Sequence, residues 1–260
     1  TELTRTSLLA KPYSSGLEAW LEHHSLRIDK SLVLDPLNAR FPIPVTRNVG
    51  GFQFQEVALL DYPYFADIRS GGLNQDSMIT AGLPQVTFSW ASPLTFDSTR
   101  NTALTLTELV KTSPGSWVSE SLEITPRMGE TQQTTLWKPE GETGAELVGA
   151  LVEGRFESYF KGRPSPLLSA PQADPASPEK AAENGEEDAQ KPSPPTFGGV
   201  LERSAESARI FLFTSNEFIT DQTVNLSSSM ERTLYLNSLQ LVQNAVDWSL
   251  EDRDLLAIRS

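Results

Sequence analysis

Residues 16–36 read GLEAWLEHHSLRIDKSLVLDP, and the order of features in this stretch decides the fold expected from sequence. Ser14, Ser15 and Gly16 offer an N-cap. Leu17, Trp20 and Leu21 then fall at i, i+3 and i+4 and make one apolar helical face. His23 and His24 close the helix, where imidazole suits the negative end of the helix dipole. The short apolar run before Asp35 and Pro36 has the form of a buried strand end. A helix followed by a short buried strand predicts an α/β layer architecture, a sheet flanked by helices.

Further along, FPIPVTRNVGGFQFQ predicts an ordered excursion with a hairpin at Gly50 and Gly51. Val86, Phe88 and Trp90 alternate like a half-buried strand, and Leu104 and Leu106 begin another that leads to the turn SPGS. Leu147, Val148, Leu151 and Val152 suit either periodicity; the neighbouring glycines and aromatics favour a strand. RIFLF, ending at Phe213, holds the strongest strand pattern of the chain. A helix over 231–250 is expected to carry Leu234, Leu241, Val242, Ala245, Val246 and Leu250 on one face and to cover the sheet beside 210–213. The run LLAI near the C-terminus reads as an adjoining strand.

Residues 163–198 differ from all of this. They hold eight of the chain's 18 prolines and almost no large apolar side chains. Such a stretch cannot bury enough surface to offset its ordering entropy and reads as a flexible, disordered Pro-rich acidic loop. The strand and helix that follow are too little for an independent core. The loop therefore belongs inside a single domain spanning 1–260 rather than at a boundary.

Composition excludes several chemistries. With 21 basic and 34 acidic residues the formal charge is −13, so the field of the whole molecule repels phosphates and no nucleic-acid partner is expected. The chain has no cysteine, which removes thiolate nucleophiles, disulfides and thiolate zinc sites. The two histidines are adjacent and would point about 100° apart on a helix, a poor metal pair better read as surface or capping residues. No apolar run approaches the length needed to span a bilayer.

Ser113 and Ser215 follow strands without a nucleophile-elbow pattern and read as turn formers. A glycan or ester hydrolase using carboxylates or Ser113 is the alternative to a non-catalytic role. VGGF and SGGLN are glycine pairs without phosphate-loop spacing. Trp20, Trp90, Trp117, Trp137 and Trp248 are scattered and better read as packing residues than as a sugar platform. Asn225 heads a glycosylation pattern. Asn216 and Glu217 end a strand where ligand sites gather in α/β sheets, and form the candidate binding turn. No catalytic residue, cofactor or metal is expected.

GLEAWLEHHSLRIDKSLVLDP, FSWASPLTFD, ELVKTSPGSWVSE, ALVEGRFESYFKG, ARIFLFTSNEFITD and LNSLQLVQNAVDWSLEDRDLLAIRS, taken in order, resemble the auxiliary-component family of uncharacterised ABC transport systems that includes the gliding-motility protein GldG. Asn237, Asn244, Asp247, Trp248 and the closing LLAIRS carry it most specifically. The resemblance implies an extracytoplasmic domain, on the periplasmic face of a bacterial inner membrane, with layers similar to class I glutamine amidotransferases and flavodoxin. It further implies transmembrane helices on either side of this piece of chain, and an ABC permease and its ATPase as partners. Members often carry a Gly-Asp-Ser-Asp-Phe-like turn after the penultimate strand. Here the turn is TSNEF, Thr214 to Phe218, with altered charge.

Overall fold

The computed structural model describes residues 2–3, 7–127, 137–163, 201–221, 223 and 236–250. Most of the Pro-rich segment, Asn225, Leu234, the first turn of the expected C-terminal helix and the closing LLAI lie outside the described residues.

Thirteen strands appear in chain order among them: β1 (Glu2–Leu3), β2 (Leu8–Leu9), β3 (Leu26–Ile28), β4 (Leu32–Leu34), β5 (Phe41–Val49), β6 (Phe52–Leu60), β7 (Phe65–Arg69), β8 (Gln85–Ser89), β9 (Leu94–Phe96), β10 (Leu104–Lys111), β11 (Trp117–Ser119), β12 (Leu147–Gly154) and β13 (Arg209–Phe213). The helices are α1 (Glu18–His23) and α2 (Leu236–Ser249).

This corrects the expected architecture. Every described strand pairing is antiparallel, in one three-stranded sheet, β10-β12-β13, and five two-stranded sheets. The protein is mostly β, and no helix-flanked layered sheet of the amidotransferase or flavodoxin kind is present among the described residues. The opening stretch misleads for a physical reason. The apolar run in residues 32–34 is buried as expected, but β4 pairs antiparallel with β11, and β3 with β9. The other edge of β4 is held by single backbone bonds to loops, Val33 N to Ala91 O at 2.8 Å and Asp35 N to Pro63 O at 2.9 Å. A strand buried this way has the same apolar run as a parallel strand under helices.

α1 is six residues long, and its N-cap is Leu17, without a side-chain capping bond, rather than Ser14, Ser15 or Gly16. The Ser15 amide donates to the Glu18 carboxylate at 2.8 Å, and the Ser15 hydroxyl accepts from the Leu17 amide at 3.1 Å. Leu21 is buried while Leu17 is exposed, so the apolar face is narrower than its spacing suggests.

Residues 41–60 form the hairpin announced by Gly50 and Gly51, both at positive φ (60° and 86°). That backbone suits a two-residue loop whose twist matches the strands. The strand expected through Trp90 ends at Ser89, and all five residues of β8 are buried rather than half of them. β12 is a strand, as favoured, and pairs on both sides.

Three buried clusters hold the molecule. The first gathers Ile68, Val86, Phe88, Val110, Val148 and Leu241 among others. The second is aromatic, with Tyr62, Tyr64, Phe65, Trp117 and Trp137. The third joins Leu21, Leu26, Leu104, Ala150, Val152 and Phe156. α2 packs back on the earlier chain as expected, but against β8 as well as β13. Ser238 Oγ donates to Thr87 O at 3.3 Å, Asn244 Nδ2 donates to Ile79 O at 3.0 Å, and the Trp248 ring meets Phe211. Leu241 and Ala245 are buried, whereas Val246 and Leu250 face solvent.

Candidate functional site

The candidate turn, residues 214–218, follows β13 directly. Thr214 completes the sheet by donating its amide to Val148 O at 3.0 Å and its hydroxyl to the same oxygen at 3.2 Å. Ser215 is buried and acts three ways at once. Its hydroxyl donates to Ser89 O, and accepts from the amides of Glu217 at 3.3 Å and Phe218 at 3.1 Å. A serine oxygen that accepts from amides two and three residues on is a turn cap. The turn-former reading of Ser215 therefore holds.

Phe218 anchors the far end, stacked on Phe88 with ring centroids 4.6 Å apart and planes 12° apart. Between these two anchors the chain must bulge outward, which leaves Asn216 exposed and Glu217 partly so. The Glu217 side chain is steadied by the Thr220 hydroxyl, which lies 3.0 Å from Glu217 O and 3.4 Å from its Oε2. Asn216 and Glu217 thus sit together on a rigid platform, presenting an amide and a carboxylate.

The neighbouring end of β8 carries a feature that sequence reading missed. Trp90 adopts φ of 50°, the left-handed region that a bulky residue enters only when its surroundings force it. Its amide donates to Tyr64 O at 2.8 Å, and its indole Nε1 donates to the Tyr62 hydroxyl at 3.1 Å. Tyr62 in turn donates to Ile124 O at 2.6 Å. Burial pushes the Tyr62 phenol well above its ordinary range and Tyr64 up to about 12, so both stay neutral. Reading Trp90 as the third member of an alternating run hid its role as the corner between two cores.

The residues that a serine hydrolase would need are apart. Ser113 gives its hydroxyl to Asp35 Oδ1 at 2.6 Å and its amide to Asp35 Oδ2 at 2.7 Å; Leu37 N also donates to Asp35 Oδ1, at 2.8 Å. This buried carboxylate ties the end of β4 to the SPGS turn. His23 is exposed, with Nε2 3.2 Å from Glu157 O. His24 is buried, contrary to the surface reading, between the rings of Trp20 and Phe156. Burial, with a smaller push from His23, lowers its pKa to about 4. Each serine hydroxyl thus has an oxygen partner of its own, and the imidazoles are engaged elsewhere.

Among the described residues no group of three or more His, Asp or Glu side chains gathers in a way that could hold a metal. An open cleft of about 610 Å³ lies between 71–74 and 106–111. Three of its polar residues engage one another: Asn74 Nδ2 donates to Glu108 O at 2.8 Å, and Lys111 Nζ to Glu108 Oε2 at 3.2 Å. Trp117 and Trp137 are core residues, and Trp248 carries the Arg209 guanidinium 4.8 Å over its ring. No described helix is long and apolar enough to cross a membrane.

The chain belongs to the family described as an ABC-type uncharacterized transport system, whose auxiliary components match it over residues 2–245. No curated protein and no solved structure matches it. A role as an auxiliary component of an ABC transport system follows from that membership.

Proposed function

We propose that this chain is a non-catalytic, extracytoplasmic accessory domain that docks on the permease of its transport system and presents the turn at Asn216 and Glu217 to it. Family membership over residues 2–245 is the observation that carries the reading. The turn supports it in a second way. Two side chains of complementary chemistry are displayed on a backbone fixed at both ends, and such pre-organisation lowers the entropy lost on binding. A partner surface rich in amide donors and a cation would answer an exposed amide and a carboxylate. The GldG-like subtype, the periplasmic side and the flanking membrane helices belong to the same proposal and rest on the resemblance of the six stretches taken in order.

The test is saturable binding of the isolated chain to nanodiscs holding the permease and ATPase of its transport system, against empty nanodiscs. Binding above the empty control is expected, with Glu217→Arg weakening it about tenfold at unchanged melting temperature, as for loss of a charge contact at an interface. Equal signal from loaded and empty discs would sink the reading.

A further inference from the structure

The β5–β6 hairpin stands apart from the three cores. Its root is held, with Ala58 and Leu60 buried and Phe41 packed on the aromatic cluster. Leu59 is exposed at the root, and beyond it four large apolar residues are exposed, Val49, Phe52, Phe54 and Val57, with Phe52 at 72% and Phe54 at 55%. A two-stranded ribbon with both faces in water is marginal by itself and gains most from further strands.

We infer that the outer edge of β6 is the self-association edge of this protein, pairing antiparallel with β6 of a second copy to make a four-stranded sheet. The register fixes which edge is usable. Val49 opposes Phe52 across the two-residue loop, so residues 41, 43, 45, 47 and 49 point their backbone groups toward β6. Pro42 and Pro44 consequently lie on the outer edge of β5 and remove its donors there. The outer edge of β6 offers Gln53, Gln55, Val57 and Leu59, with no proline and no charge.

Charge selects the occupant. Residues 44–57 contain one cation and one anion, Arg47 and Glu56, which pair at 3.9 Å. This arm is neutral on a chain of net charge −13, so it is where two copies approach with least repulsion. Centred on Phe54, the pairing sets Phe54 against Phe54 of the second copy and Glu56 beside its Phe52. The two Glu56 carboxylates then lie four residues apart along the strands, roughly 13 Å, and each keeps its own Arg47. Overlap ends near the loop, which leaves the two bodies at opposite ends of the new sheet.

Sedimentation of the 260-residue chain tests this. A dimer is expected within about 1–200 µM, a range usual for a small interface. Gln55→Pro should halve the mass to the monomer with unchanged near-ultraviolet circular dichroism, because that N–H faces away from β5. The chain has no cysteine, so Phe54→Cys introduces a single thiol. With copper phenanthroline it should cross-link at least tenfold faster than Val57→Cys, whose counterpart lies about six residues away. A monomer throughout the range overturns the inference, as does a dimer that survives Gln55→Pro, or an arm that seats on lipid vesicles or the permease while the chain remains monomeric. These measurements use the isolated chain in solution, so their outcome is separate from permease docking.

Discussion

His24 and Asp35 show how single residues read as surface features or strand ends become structural locks. Asp35 is nearly inaccessible, and three donors converge on its carboxylate. Such a group is tolerated inside only because its hydrogen bonds are complete. His24 is buried differently, among rings, and the neutral imidazole is what that setting accepts. Its folded pKa of about 4 lies below the usual 6.5 of an unfolded histidine. The unfolded chain therefore takes up a proton below pH 6.5 that the folded chain refuses until about pH 4. Its contribution is whole above pH 6.5 and declines as pH falls through that window, reaching about 2–3 kcal/mol of lost stability. Urea midpoints measured from pH 7 to 4.5 should fall less steeply in His24→Phe than in the wild type. Parallel slopes would show that His24 titrates normally.

At the scale of elements, two glycine pairs that look alike in sequence do different work. Gly50 and Gly51 have open space around them and are required by their positive φ. Gly72 is required by closeness: a Cβ there would lie 2.1 Å from the backbone oxygen of Lys111, where Lys111 N donates to Gly72 O at 2.8 Å. Gly71 beside it has nothing within 4 Å. Gly72→Ala should cost about 2 kcal/mol or more, because a backbone ladder must open to admit the methyl. Gly71→Ala should stay within about 0.5 kcal/mol of the wild type. Equal urea midpoints for the two would contradict the close approach. The hairpin at residues 50–51 was legible because turn chemistry is local. The contact at Gly72 was not, because its cause lies 39 positions away on β10. The same division runs through the fold. β13 and α2 follow from apolar patterning and β12 from the glycines and aromatics beside an ambiguous apolar run, whereas the antiparallel partners of β3 and β4 are set by β9 and β11, which no local pattern names. In the candidate site, Asn216 and Glu217 could be found as the polar end of a strong strand. Trp90 could not, since a left-handed tryptophan leaves no mark in an alternating run.

For the whole molecule, adjacent residues on single strands face different cores, and this sets how it should unfold. On β4, Val33 belongs to the first core and Leu34 to the aromatic one; on β7, Phe65 belongs to the aromatic core and Ala66 and Ile68 to the first. β12 supplies Val148 and Leu151 to the first core and Leu147, Ala150 and Val152 to the third. None of these strands can leave one core without leaving another, so the three should melt together as the one domain expected from sequence. Val152→Ala in a Trp20→Phe, Trp248→Phe background provides the test, because it touches the third core while the remaining Trp90, Trp117 and Trp137 report from the aromatic one. Truncating this fully buried valine should cost about 1–3 kcal/mol. Tryptophan fluorescence and far-ultraviolet circular dichroism should record the same lowered urea midpoint with an unchanged slope. If the fluorescence midpoint holds while the circular dichroism midpoint falls, the cores unfold separately and the chain comprises more than one cooperative unit.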